Sequence, residues 1–284
     1  ICACLVGSEM CIRDRHDETV LLIERSKQMY GGTCINVGCL PSKNLIFNGQ
    51  RGVDFTTAVN KRGEMTRQLR NKNYHMVADE PLATVWDGSA RFIDNYVLAV
   101  VMSDGTTKKV RGERIFINTG AVPNWPSIPG LEFGQRIFTS KEAMELEKQP
   151  KRLAIIGGGY IGLEFAGMFN SFGTHVTIFD QHTRLLERED PDIATEVVAD
   201  LTDAGIEIKP ETQLTQVKDN GEKVTLYYQQ GDQSNTAEFD AVLVAVGRRP
   251  NINSLGLENT DIALTSRGAI PVSYTHLRAH ETCA

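Results

Sequence analysis

Cys34 and Cys39 stand five positions apart in GGTCINVGCLPSK, and Lys43 follows the second cysteine by four. Two neighbouring thiols can cycle between a dithiol and a disulfide, which is two-electron chemistry. In an ideal α-helix, Cα atoms five positions apart lie roughly 8.7 Å from each other, beyond the ~7 Å that a disulfide spans. An unperturbed helix therefore cannot join them. Gly38 and the Gly31-Gly32 pair offer the distortion needed, and a bridge closed under such constraint is easier to reduce. Lys43 falls on the helical face of Cys39, where its charge and the helix N-terminus both favour a thiolate. From spacing alone, buried thiols or half of a metal site stay open as alternatives.

A second set lies in the other half of the chain. Gly157, Gly159 and Gly162 form G-x-G-x-x-G directly after the apolar run Leu153–Ile156, and Asp180 ends the run His175–Phe179 about twenty residues later. The first glycine permits a tight turn, the second lets a pyrophosphate approach the backbone, and the third lets helix and strand pack closely. A carboxylate at Asp180 accepts hydrogen bonds from ribose hydroxyls and repels a 2′-phosphate, so NADH is favoured over NADPH. Arg184 is near enough to blur that preference. Glu24 also ends an apolar run ahead of a glycine pair, but no glycine fingerprint precedes it.

These sites need a βαβ framework. Thr19–Glu24 reads as a buried parallel strand, Thr33 to about Asn44 and Thr56 to about Val77 as helices, and residues 91–119 as a meander closing on the strand Ile115–Ile117. The prolines of Ala121–Pro129 mark a connector, and a helix from Lys141 to Lys148 leads to Pro150. After the second βαβ unit, Val224–Tyr228 and Glu238–Val246 repeat the meander and its closing strand, so the chain looks internally duplicated. The expected class is α/β, with two Rossmann-like three-layer dinucleotide-binding domains, the first incomplete. The boundaries are 17–149 for the first, 150–247 for the second and 248–271 for a return segment. Residues 1–16 and 272–284 read as non-native tails.

The 284 residues are 41% apolar and 23% charged with a formal charge of -6, enough for two cores and ill suited to nucleic acid. No apolar run reaches the ~18 residues of a membrane span. Of six cysteines only Cys34 and Cys39 lie in the body, which points to a reducing cytoplasmic setting. His276 and His280 have no third metal ligand in view, so no resident metal is expected.

With these residues in hand, GGTCINVGCLPSK, GGGYIGLEFA and VAVGRRPN resemble, in order, the motifs of the pyridine nucleotide–disulfide oxidoreductases, over about residues 19–271. The runs LRNKNYHMVADEP and IFINTGA are similar to the bacterial reactive-chlorine-resistance branch, whose members reduce copper(II). The resemblance implies that Cys39 lies against flavin as the charge-transfer thiolate and that Cys34 meets the substrate. It puts Lys43 near flavin N5, paired with Glu164, and Tyr160 over the nicotinamide pocket as a ring that swings aside. Glu24 is to hold the FAD ribose, Ala90 and Gly120 to contact the adenine and pyrophosphate side, and Gly247 to line the NAD site. Gly32, Thr33 and Ile161 complete the implied cofactor-binding set.

The family analogy further implies electron flow from NAD(P)H through FAD to the Cys34–Cys39 disulfide, then to a small-molecule or metal-ion acceptor, in a homodimer. Copper(II) reduction or oxidative-stress defence leads, followed by dihydrolipoamide oxidation and then mercury(II) reduction. The N-terminal FAD fingerprint, a later Gly-Asp motif and the C-terminal dimerisation domain are missing from the sequence, so poor FAD binding and little turnover are expected of the chain as written. The rival from another class is a nucleotide-binding module with structural cysteines.

Overall fold

The computed structural model describes residues 18–271, which divide into two compact units. Among the described residues, the first comprises 18–36, Thr66–Val122 and 249–271. Its sheet begins with Val20–Glu24, parallel to the start of the long strand Ala83–Asp94 in the register Val20 to Ala83 and Glu24 to Asp87. That long strand continues past its parallel partner and pairs antiparallel with Val97–Met102, which pairs in turn with Thr107–Arg111. One strand thus serves both a βαβ layer and a meander. Ile23, Phe92, Leu98, Val100, Leu255 and Leu257 form the core beneath it.

The second unit comprises Val37–Met65 and Pro123–Arg248. Five parallel strands run in the order Ile137–Phe138, Ala241–Val244, Arg152–Ile156, His175–Phe179, Glu207–Lys209. The central runs LAII, VTIF and AVLV are buried at every position because both faces are covered. Alternate residues sort by face: Leu153, Ile155, Val176, Ile178 and Leu243 pack with Leu163, Ala166, Phe169 and Leu45 of the helices. Ala154, Ile156, Phe179, Val242 and Val244 pack instead with Val217, Leu226, Tyr228 and Phe239 of an antiparallel sheet, Thr212–Asp219, Val224–Gln230 and Gln233–Phe239. Helices, parallel sheet and meander are the three layers of a Rossmann-like domain.

Several expectations need correction. Glu238–Val246 is not one strand: Phe239 ends the meander and Ala241 opens the parallel sheet, while the Asp240 carboxylate between them accepts the Arg152 N–H at 2.8 Å. Ile115–Ile117 forms no ladder, only an isolated bridge at Phe116, because no described strand pairs along it. The helix expected at Lys141–Lys148 is the single turn Ser140–Ala143. Within the proline-rich connector, Ala121–Pro123 pairs with Arg248–Pro250. The helix Pro191–Asp203 and the strands Glu207–Lys209 and Thr212–Asp219 had no sequence-based expectation.

Candidate active site

In the second unit the three fingerprint glycines meet three different environments. Gly157 has φ +106, and a Cβ there would sit 2.6 Å from the Ala245 carbonyl oxygen. Its N–H donates to the Phe179 carbonyl at 2.8 Å, tying the turn to the neighbouring strand. A Cβ on Gly162 would fall 2.0 Å from the Gly157 oxygen, so this position admits no side chain. Gly159 faces open space, with nothing within 4 Å of a built Cβ, at the N-cap of the helix Tyr160–Ser171. That arrangement fits a pyrophosphate, whose oxygens can reach the helix N–H groups only where no side chain intervenes. Gly158, not singled out in the sequence, is also constrained: its Cβ would lie 2.5 Å from Leu185.

Asp180 is buried at the end of its strand, and its carboxylate accepts the N–H groups of Gly158 at 2.5 Å and His182 at 2.8 Å. The His182 ring Nδ1 lies 2.6 Å from the same group. Arg184 points elsewhere, donating to the carbonyls of Glu187 and Glu189 at 3.0 and 3.2 Å. Tyr160 is 64% exposed, and its hydroxyl donates to the Glu189 carboxylate, a bond that pushes the phenol pKa upward. Ile161 packs against the core cluster rather than standing in the groove, so any contact it makes to a ligand comes from its backbone. Gly247 takes φ +98, and its carbonyl accepts the Asn124 N–H at 2.9 Å.

The cysteine region breaks where distortion was needed. Cys34 lies in the short helix Gly32–Asn36, and Cys39 opens the helix Cys39–Gln50 after Gly38, whose φ of -130° and ψ of -125° are not helical. Both thiols are exposed and no disulfide joins them. Lys43 does not stand as an isolated cation beside Cys39: its ammonium is 2.7 Å from the Glu164 carboxylate. The Ser42 hydroxyl donates to the same oxygen at 2.6 Å, an anchor the sequence reading did not include. The cysteine helix and the glycine-turn helix are therefore joined through one carboxylate.

In the first unit Glu24 is buried at its strand end and accepts the Ser26 N–H at 2.9 Å. Gly31 and Gly32 both adopt positive φ, and the turn is pinned by Asn36, whose amide donates to the carbonyls of Tyr30 at 2.9 Å and Gly32 at 2.8 Å. Arg70 in turn donates to Asn36 at 2.7 Å. Asn36 and Arg70 are further residues the motif reading missed, since amide-to-backbone bonds leave no spacing signature. Tyr30 is buried and bonded to Asp87, and burial first, then that bond, drives its phenol pKa well above the usual value. Gly120, at φ +69, is open except for Thr33 Oγ1 3.8 Å from a built Cβ. Ala90 lies in strand register opposite Val100. An open glycine, a nearby hydroxyl and a buried strand-end carboxylate fit the phosphate and ribose of a flavin dinucleotide.

Among the described residues no group of three His, Cys, Asp or Glu side chains could hold a metal ion, and no helix is long and apolar enough to cross a membrane. His276 and His280 lie outside the described residues.

A family model for "Pyridine nucleotide-disulphide oxidoreductase" matches residues 10–278. The chain is 42% identical over 253 residues to "Probable pyridine nucleotide-disulfide oxidoreductase RclA" of Escherichia coli strain K12, covering 89% of this chain and 56% of that protein. It is 35% identical over 274 residues to a mercuric reductase of Streptomyces lividans, and 32% identical over 264 residues to a dihydrolipoyl dehydrogenase of Corynebacterium glutamicum. These matches cover 89% and 87% of this chain and 56% of each relative. A solved copper(II) complex of the flavoprotein disulfide reductase RclA from Escherichia coli superposes with TM-score 0.86 at 40% identity, covering 92% of this chain and 58% of that one. The chain thus spans little more than half the length of these relatives. Fold, motifs and matches together establish that it belongs to the pyridine nucleotide-disulphide oxidoreductase family, whose members use FAD and NAD(P)H.

Proposed function

We propose that this chain carries the nucleotide site and redox disulfide of an enzyme that moves electrons from NADH to an acceptor through Cys34 and Cys39. The observation that carries the reading is the shared carboxylate of Glu164, which binds Lys43 and Ser42 of the cysteine helix from within the nucleotide helix. A structural pair of cysteines has no need of such a brace, whereas a redox pair must be held in register with its electron source. Gly157, Gly159 and Gly162 shape the dinucleotide turn, and Asp180 takes the ribose. Tyr160 covers the nicotinamide side, and Gly247 lines it. Glu24, Gly32, Thr33, Ala90 and Gly120 receive the flavin dinucleotide, which when bound supplies the two-electron relay between nicotinamide and disulfide.

The balance is simple. NADH and one proton reduce the Cys34–Cys39 disulfide to two thiols and leave NAD+. Cys34 then meets the acceptor while Cys39, at a helix N-terminus, re-forms the bridge. With copper(II), two ions are reduced to copper(I) as the disulfide returns and two protons leave. The copper reading draws support from the copper(II) complexes of the related RclA, one of them a cysteine-to-serine variant. Residues 17–149 with 248–271 form the flavin part in this reading and 150–247 the NAD part, in a cytoplasmic homodimer. The test is NADH oxidation by protein shown by its flavin absorbance to hold FAD, offered copper(II), lipoamide or mercury(II). Copper(II) should be reduced fastest, and C34S and C39S should each abolish the activity. Faster turnover of lipoamide or mercury(II) would replace the copper reading, and turnover surviving both substitutions would overturn the disulfide route.

A further inference from the structure

The Asp180 carboxylate is crowded by donors from its own chain. Its Oδ2 accepts the Gly158 N–H, and its Oδ1 accepts the His182 N–H and faces the His182 ring Nδ1 at 2.6 Å. A carboxylate is acceptor-only and offers about four lone-pair sites, so Nδ1 must carry a proton and roughly one site is left over. The Asp180 side chain is 9% exposed and that of His182 47%, which makes the ring the outward partner of a buried acid. Its other nitrogen, Nε2, lies 3.9 Å from Glu187. The neighbouring cations are engaged elsewhere: the Arg184 guanidinium donates to the carbonyls of Glu187 and Glu189, and the Lys209 ammonium is 2.8 Å from Glu207. Exposed Glu211, whose N–H donates to the His182 carbonyl at 3.0 Å, adds a further acid. Among the described residues, His182 is thus the basic side chain that touches Asp180.

We propose that His182 is a specificity-determining residue that sets how strongly Asp180 rejects a 2′-phosphate, so that NADPH is admitted once the imidazole is charged. The inference rests on the dinucleotide reading of the glycine turn. A ribose hydroxyl bonded to Oδ1 falls within roughly 5.5 Å of Nδ1, because two hydrogen bonds of about 2.8 Å meet at that oxygen. A phosphate carried by that hydroxyl therefore meets carboxylate and imidazole together. With His182 neutral, the charge of Asp180 stands uncancelled and repels the phosphate. Imidazole is the side chain that changes charge between about pH 5 and pH 8. The imidazolium offsets Asp180 and offers a second N–H, at Nε2, to a phosphate oxygen. NADH lacks that phosphate and gains much less, so the ratio of the two affinities carries the effect.

The test is fluorescence titration of the 284-residue protein with NADH and with NADPH, at about pH 8.5 and about pH 5.8. A phosphate monoester has its own ionisation near about pH 6, which by itself lightens the repulsion in acid. Each change is therefore compared with that of His182→Asn, which keeps a side-chain donor and does not titrate. On acidification the NADPH-to-NADH ratio of dissociation constants should fall by about three- to tenfold more in the wild type than in His182→Asn. His182→Arg, charged throughout, should show a low ratio at both pH values. Equal falls in the wild type and His182→Asn would overturn the assignment and leave the dinucleotide reading intact. A ratio in His182→Arg as high as that of the wild type at the alkaline pH would do the same. A chain that binds NADH at neither pH overturns both.

Discussion

Gly159 and Gly162 share a residue type and separate two kinds of requirement. A methyl group on Gly162 would collide with the Gly157 carbonyl, whereas one on Gly159 would enter empty space. Gly162→Ala should therefore destabilise the fold by about 2–4 kcal/mol through overpacking against backbone. Gly159→Ala should melt with the wild type yet lose at least about tenfold in NADH affinity, because its methyl takes up room meant for the pyrophosphate. Thermal melting and NADH titration of both variants check the contrast, and equal melting temperatures would refute it. In the proposed reading Asp180 sets the cofactor preference, so NADH should bind more tightly than NADPH and Asp180→Ala should narrow the gap, as paired titrations would show. Glu164 offsets the charge of Lys43, so Glu164→Gln should leave that ammonium to act on Cys39 one turn away and speed its alkylation at fixed pH by about threefold. Mass-spectrometric rates at Cys39 decide this, and a slower reaction would contradict it.

At the scale of elements, the motifs were legible because their chemistry demands fixed spacings. The turn after Leu153–Ile156, the acid after His175–Phe179 and the break between Cys34 and Cys39 all lie where the residues imply. Elements set by distant partners were less legible. Val224–Tyr228 was read, but its neighbour Thr212–Asp219 is polar at most positions and becomes a strand only through the ladder it completes. Phe239 and Ala241 belong to different sheets, and only the bonds made by Asp240 reveal the break. Burial pushes the Asp240 carboxyl up, but hydrogen bonds from Lys223 and from the Arg152 N–H outweigh it and hold the pKa below its ordinary value. A depressed carboxylate contributes stability that is present above its unfolded pKa and is lost as pH falls through the folded one. Asp240→Asn should thus lower the melting temperature by about 2–4 °C at neutral pH, and the difference should shrink as the pH falls through the carboxyl's depressed folded-state pKa. A difference that persists in acid would show that the carboxylate charge is irrelevant.

For the molecule as a whole, the order read twice from the sequence takes two forms: in the first unit one sheet joins a parallel pair to a meander, whereas in the second the meander is a separate sheet packed on the parallel one. Each places a buried carboxylate at a strand end, Glu24 in one and Asp180 in the other. Less legible were the anchors between motifs, namely Asn36 on the Gly31-Gly32 turn, Ser42 on Glu164 and Glu189 on Tyr160, because each joins residues through tertiary contacts rather than a repeat. The central claim is that reducing equivalents from NADH arrive at Cys34 and Cys39. Its most direct test starts from protein oxidised until peptide mapping shows a Cys34–Cys39 bridge, supplied with FAD and then with NADH in the absence of oxygen. Differential alkylation at those two positions should show one disulfide lost and two thiols gained for each NADH consumed, with no such change when NADH is omitted. A Cys34–Cys39 bridge that stays oxidised in FAD-loaded protein supplied with NADH would contradict the account.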